Sequence, residues 1–118
     1  MREENLIKTK SFSFAVRIVK LSEYLRKNKG EFILSKQILR SGTSIGANIE
    51  EAIGGQSKND FISKISIAYK EARETKYWIE LLKETNYLDL QQSQSLLTDC
   101  EELLKIMGSI KKTICNNS

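Results

Sequence analysis

Apolar and small side chains recur at alternating steps of four and three residues in one segment of this chain. From Phe61 to Leu82 the series runs through Ile65, Ala68, Ala72, Thr75 and Ile79, which spans three heptads. Because 3.6 residues complete a helical turn, this spacing puts the whole series on one stripe of an α-helix. The chain contains no Pro and only 6 Gly, so long helices are favoured elsewhere too. The sequence predicts an all-α protein.

Stop and cap signals divide the chain into four helical segments, at about residues 9–29, 35–53, 58–85 and 90–114. The stops are Gly30, the Gly54-Gly55 pair and Asn86, and the caps are Ser35, Ser57 and Asp89 with Gln92. Short connections between long helices predict a single up-down-up-down antiparallel four-helix bundle over residues 1–118. Residues 1–6 and 116–118 are expected to fray.

The other three segments carry the remaining core stripes, and that of the second segment runs through Ile38, Gly42, Ile45, Ile49 and Ala52. The first is expected to bury Ile7, Ser11, Phe14, Ile18, Leu21 and Leu25, and the last Leu90, Ser93, Leu96, Leu97, Cys100, Leu103, Leu104, Met107, Ile110 and Ile114. In the first helix, Phe12, Val16 and Val19 fall on nearly the opposite side. A monomeric bundle buries one face of each helix, so this second apolar face predicts a subunit interface.

Two aromatic residues and two glycines add to the assembly prediction. Tyr77 and Trp78 flank the stripe of the third helix, and we expect them to serve packing or subunit contacts rather than base stacking. Gly42 and Gly46 lie inside the second helix, where each costs about 1 kcal/mol relative to alanine. Close packing against another helix compensates such a cost, and a local kink is the alternative.

Charge is unevenly distributed along the chain. The net charge is +4, but residues 8–40 hold nine Lys or Arg against two Glu, which gives 9 − 2 = +7. Clustered cations attract phosphates, although a single surface lysine is usually only solvated. The candidate nucleic-acid contacts are Lys8, Lys10, Arg17, Lys20, Arg26, Lys27, Lys29, Lys36 and Arg40.

A second group of polar residues lies where the second and third helices are expected to meet. It comprises Arg40, Ser44, Asn48, Glu51, Glu71 and Glu74. We predict a buried, hydrogen-bonded interhelical network that fixes helix register, and the alternative is a functional phosphate or metal contact.

The residue types and motifs of this chain do not indicate an enzyme. The chain has no His, which excludes His-based acid-base pairs, triads and Glu-x-x-His metal sites, and it has no phosphate-binding glycine loop. Cys100 lies on an apolar stripe, where a thiol is protonated and inaccessible. We therefore expect no enzyme, no cofactor and no metal site. We also expect Cys100 and Cys115 to be reduced, and a cytoplasmic protein without a membrane span or signal peptide.

Two motifs carry a resemblance to a known family. The run RSGTSIGANIEEA holds Arg40, Ser44, Ile45, Asn48, Ile49 and Glu51, and QSKNDFISKISIAYKEARETKYWIELL holds Ala68, Glu71, Ala72 and Glu74. In both runs the chain resembles the four-helix-bundle proteins associated with 23S rRNA intervening sequences, over about residues 12–104. It departs from their pattern at Gly46, where proline is usual, and at Ala52, where glycine is usual.

The resemblance implies a homo-oligomeric ring, commonly a pentamer, whose basic surface binds structured RNA or DNA. More distant relatives are accessory proteins of diversity-generating retroelements, which implies a reverse transcriptase as a further partner. The alternative function is a protein-binding oligomeric scaffold with no nucleic-acid role.

Overall fold

The computed structural model describes residues 2–116, which form four α-helices and no strand. The helices are α1 (Arg2–Lys29), α2 (Leu34–Ile53), α3 (Lys58–Glu84) and α4 (Leu90–Asn116). Each helix packs against the next along the chain, and α4 also packs against α1. The predicted all-α, four-helix fold is confirmed. Within residues 2–116, no helix is both long and apolar enough to cross a membrane.

The core is built from the predicted stripes, except that in α4 Leu90 is exposed and Leu104 and Ile114 are only partly buried. Every residue of the α1 stripe is buried, and so is the α3 stripe from Ile65 to Leu82. Leu90 was predicted to be buried, which is wrong, because its side chain is 77% exposed. Asn86 has a left-handed φ of 66°, and the chain then turns so that Leu88 enters the core. Leu88 therefore fills the place expected for Leu90.

Helix α1 begins seven residues before its predicted start. Ile7 is 1% exposed and anchors this first part of the helix on the core. Glu3 and Glu4 lie in the first turn, where carboxylates favour the helix N-terminus, and Ser109 donates a hydrogen bond to Glu3. Residues 2–6 and Asn116, where fraying was predicted, are helical in this structure. The same prediction for residues 1, 117 and 118 lies outside the described residues.

Glu31, not the predicted Ser35, caps the start of α2. Its carboxylate accepts hydrogen bonds from the backbone N–H groups of Ile33, Leu34 and Ser35, at 3.2, 3.0 and 2.7 Å. Three unpaired N–H groups at a helix start are thereby satisfied. The Ser35 hydroxyl is instead buried one residue inside the helix, without a hydrogen-bond partner among residues 2–116. The other predicted caps are confirmed at Ser57 and at the reciprocal Asp89–Gln92 pair.

The approach of α1 to α2 depends on Gly42. A Cβ atom at this position would lie 2.7 Å from both Cγ atoms of Ile18, closer than any normal carbon contact. At Gly46, a Cβ would meet the Ser11 carbonyl oxygen at 3.4 Å, which is close to ordinary contact. Helix α2 continues unbroken from Leu34 to Ile53. Gly42 therefore serves close helix packing, as the sequence predicted.

Alanine variants of the two glycines test which of these two positions requires a residue without a side chain. Gly42→Ala is expected to lower the free energy of unfolding by about 1–3 kcal/mol, because the branched Ile18 side chain cannot move aside without strain. Gly46→Ala is the matched control, and we expect no loss or a gain of up to about 1 kcal/mol from helix propensity. Urea unfolding at one protein concentration measures both. A Gly42→Ala protein as stable as the wild type contradicts the packing account.

A second pair of variants tests the cap. Glu31→Ala removes the acceptor of three N–H groups and is expected to cost about 1–2 kcal/mol of stability. Ser35→Ala removes only a buried hydroxyl that has no partner, so stability is expected to stay unchanged or to rise. The same urea unfolding applies, and a larger loss for Ser35→Ala than for Glu31→Ala refutes the assignment.

Candidate nucleic-acid interface

Four of the nine predicted phosphate contacts are paired with carboxylates. Lys8 lies 3.9 Å from Glu50 of α2, while Lys10 and Arg17 lie 3.0 and 2.6 Å from Glu102 and Asp99 of α4. Arg17 also donates hydrogen bonds to Ser95. Within α1, Lys27 lies 3.7 Å from Glu23. A phosphate must displace an acidic partner to reach any of these four cations, so they are weaker candidates than the sequence indicated.

The other five cations have no such partner. Lys20, Arg26, Lys29, Lys36 and Arg40 are exposed, and no carboxylate of residues 2–116 lies within 4.0 Å of their charged groups. Four of them flank the turn between α1 and α2, and we call Arg26, Lys29, Lys36 and Arg40 the hairpin cluster.

Two helix ends meet at the hairpin cluster and set its electrostatics. Arg26 and Lys29 lie in the last turn of α1, where the backbone carbonyls favour positive charge. The start of α2 is neutralised by the Glu31 carboxylate. Arg26 and Lys29 therefore interact favourably with the α1 dipole. The charged groups of the hairpin cluster are exposed to solvent and remain available to bind an anion.

The second apolar face of α1 is exposed, as predicted. Phe12, Val16 and Val19 are 69, 40 and 49% exposed. Beside them a groove of about 260 Å³ runs between α1 and α2, with Ala15 on one side and the small residue Ala47 on the other. The single chain leaves this face uncovered.

The two predicted aromatic interface residues lie in different environments on α3. Tyr77 is 60% exposed. Trp78 is half-buried, and its indole Nε1 donates a hydrogen bond of 3.1 Å to Glu74. The two rings meet edge to face, with centroids 5.1 Å apart. Their role in assembly stays a prediction.

The predicted polar network does not form. Arg40 and Glu51 are exposed, and Glu51 lies 4.0 Å from Lys64 instead. Asn48 donates to the backbone carbonyl of Ser44 within its own helix, at 2.8 Å. Glu74 accepts from Trp78, also within one helix. These side chains lie at the edge of the α2–α3 contact rather than in its centre, so water competes for them.

The buried polar contact between α2 and α3 is made by other residues. The hydroxyls of Ser41 and Thr75 lie 2.9 Å apart, and both residues are fully buried. Thr75 also hydrogen-bonds the Glu71 carbonyl at 2.8 Å. Each residue lies on an apolar stripe, which is the sequence signal that identifies such a pair.

The chemistry available to side chains in this structure is limited. Cys100 is buried, and its thiol donates to the Ala72 carbonyl at 3.3 Å. Burial raises the pKa of this thiol to about 12, so it stays protonated and is a poor nucleophile at neutral pH. Neither cysteine forms a disulfide. Among residues 2–116, no three metal-ligating side chains are grouped to hold an ion.

One group of cations in the structure was not predicted from the sequence. Arg73 and Lys76 of α3 line a groove between α3 and α4, and Lys111 of α4 lies near them over the ring of Tyr69. Lys111 is 35 residues from Lys76, and all three lie in a part of the sequence that is net acidic, so a count of charges along the chain cannot find them. The interleaving of basic and aromatic residues from Tyr69 to Tyr77 is the signal that was available.

The chain is similar to known proteins in sequence and in fold. A family model described as 23S rRNA-intervening sequence protein matches residues 3–109. Among solved structures, the chain is similar to a crystal structure of a protein of unknown function from the S23 ribosomal protein family of Bacteroides thetaiotaomicron. The two are 54% identical with a TM-score of 0.92, and the match covers 93% of this chain and 98% of the other. No curated protein matches.

Proposed function

This chain belongs to the 23S rRNA-intervening sequence protein family, and we propose that it is a non-enzymatic protein that binds structured RNA or DNA through the hairpin cluster. The family resemblance read from the two sequence motifs is confirmed. Our proposal further includes the up-down-up-down course of the bundle, assembly into a ring of five, and a cytoplasmic accessory role beside a partner such as a reverse transcriptase.

The observation that carries the proposal is that no carboxylate of residues 2–116 lies within 4.0 Å of the charged groups of the hairpin cluster. The four cations of the cluster are exposed at one end of the α1–α2 pair, whereas Lys8, Lys10 and Arg17, farther from the turn on α1, are paired with carboxylates. A ring of five would repeat these four charges and the Glu31 carboxylate between them, giving 5 × (4 − 1) = 15 net positive charges near one surface. Such a surface attracts phosphates strongly and releases counterions on binding.

Assembly is supported by the exposed apolar face of α1. Phe12, Val16 and Val19 are exposed, and Phe12 also lines the groove beside Ala47, so the surface offers a neighbouring subunit both an exposed aromatic ring and a depression. An uncovered patch of this kind is uncommon on a monomer that already has a complete core. For the second surface that a ring requires, the sequence predicted Tyr77 and Trp78, and we assign this role to Trp78.

A non-enzymatic role is supported by the absence of His from the sequence and by the protonated, buried Cys100 thiol. The alternative is a protein-binding scaffold. It is favoured by Phe32 and Ile33, which are 63 and 73% exposed at the turn inside the hairpin cluster. An apolar tip of this kind fits a protein surface better than phosphates, so nucleic-acid binding at low salt separates the two functions.

Neutralising two cations of the hairpin cluster tests the nucleic-acid surface. Arg26→Gln with Lys36→Gln is expected to reduce the slope of log K against log salt by about 2 for each subunit that contacts the nucleic acid, since each lost phosphate contact to duplex removes about 0.9. Binding of labelled duplex or hairpin RNA from about 50 to 200 mM salt measures the slope.

The matched control is Lys10→Gln with Arg17→Gln, which removes the same charge from cations already paired with Glu102 and Asp99. Its slope should stay close to that of the wild type. Equal losses in the two variants would mean that the hairpin cluster is not the contact surface. No binding of the wild type at about 50 mM salt would favour the scaffold alternative.

Charges on the apolar face of α1 test assembly. Val16→Glu with Val19→Glu is expected to give folded monomers, because two carboxylates cannot be buried in an interface without partners. Leu90→Glu is the control, since Leu90 is 77% exposed and lies on α4. Sedimentation velocity reports the size, and circular dichroism reports the helices. An unchanged sedimentation profile for the double variant rules out this interface.

A further inference from the structure

A groove between α3 and α4 combines aromatic and cationic side chains. Its volume is about 350 Å³, and it is lined by Tyr69, Arg73, Lys76, Tyr77, Glu80 and Leu104. Pockets for small ligands span about 300–1,000 Å³, so this groove has room for one nucleotide and not for a duplex.

The charge in the groove favours an anion. Neither Arg73 nor Lys76 has a carboxylate of residues 2–116 within 4.0 Å of its charged group. Lys111 lies nearby, with its Nζ 4.8 Å from the centre of the Tyr69 ring. Against these three cations the lining holds one carboxylate, that of Glu80. The lining itself thus carries 2 − 1 = +1, with Lys111 as a further cation outside the lining, in a part of the sequence that is net acidic as a whole.

Tyr77 gives the groove an accessible aromatic ring. Its side chain is 60% exposed, whereas Tyr69 is half-buried beneath Lys111. The ring of Tyr77 rests against Trp78, which is itself fixed by its hydrogen bond to Glu74. An exposed ring held in place loses little conformational entropy when a base stacks on it.

We propose that this groove binds one unpaired nucleotide of a single-stranded segment, with the base stacked on Tyr77 and the adjoining phosphates on Arg73 and Lys76. The inference rests on the proposed nucleic-acid function and adds a site separate from the hairpin cluster. Duplex bases are stacked on one another and cannot reach Tyr77, so the groove selects loops, bulges and free strands.

A subunit contact is the competing role for Tyr77, and the sequence predicted it. The surroundings argue against it, because lysine and glutamate are depleted from subunit interfaces and this ring lies beside Lys76 and Glu80. Trp78 is not among the residues that line the groove, and its predicted role in assembly is unaffected.

The chain contains one tryptophan, and its position provides a local signal for the test. The Trp78 ring centre lies 5.1 Å from that of Tyr77, so a base stacked on Tyr77 changes Trp78 fluorescence. The full-length protein is titrated with a single-stranded oligonucleotide and, separately, with the duplex of the same sequence. We expect the single strand to change the fluorescence of Trp78 and the duplex to leave it nearly constant.

Affinities from fluorescence anisotropy of the labelled oligonucleotides complete the experiment. Tyr77→Ala is expected to weaken single-strand binding by about 5- to 150-fold, as for the loss of one base–aromatic stack, while duplex binding changes little. Tyr77→Phe keeps the ring and should bind as the wild type does. Arg73→Ala with Lys76→Ala should weaken single-strand binding more than Lys70→Ala with Lys58→Ala, which removes the same charge outside the groove.

The outcomes separate this inference from the proposed function. If the wild type binds duplex or hairpin RNA but Tyr77→Ala binds single strands normally, the groove inference is wrong and the proposed function stands. If the wild type binds no nucleic acid at low salt, the proposed function fails as well. If Tyr77→Ala keeps its helices but sediments as a smaller species, Tyr77 is a subunit contact and the inference is overturned.

Discussion

The contact between Gly42 and Ile18 sets the distance between α1 and α2, and the surface features of the protein depend on that distance. A side chain at Gly42 would occupy the space that Ile18 fills. Because the two helices approach so closely, the Ser22 hydroxyl reaches the Ser35 carbonyl at 3.1 Å near the turn. The same approach brings the basic residues at the end of α1 beside those at the start of α2. It also forms the shallow groove next to the apolar face of α1.

Packing of the helices divides the cations of this chain into two groups. Those on α1 that point toward α2 or α4 meet carboxylates on the neighbouring helix, as Arg17 meets Asp99. The cations of the hairpin cluster, at the α1–α2 turn, have no carboxylate of residues 2–116 within 4.0 Å of their charged groups. Exposed ion pairs add little stability, so the pairs on α1 matter more for charge than for folding. These ion pairs join Lys8, Lys10 and Arg17 to carboxylates, whereas Lys20 and the four cations of the hairpin cluster have no carboxylate of residues 2–116 within 4.0 Å.

Features that depend on local spacing could be predicted from the sequence, and features that depend on contacts between helices could not. The heptad series in α3 and the cap at Ser57 follow from residues a few positions apart, and both were predicted. The cap at Glu31 requires a side chain from the preceding turn to fold back, while Ser35 had the more usual capping residue type. Leu90 has the spacing of a core residue, but the turn at Asn86 places Leu88 there instead. The pairing of Lys10 and Arg17 depends on partners more than 80 residues away, which a charge count cannot detect.

The central claim is that an oligomer of this chain binds nucleic acid electrostatically. Sedimentation of the 13.5 kDa chain with labelled hairpin RNA tests size and binding in one measurement. At about 50 mM salt, the account predicts RNA moving with a protein species several times the monomer mass, and the separation of the two as salt rises. A protein that sediments as a monomer while the RNA sediments alone would contradict it.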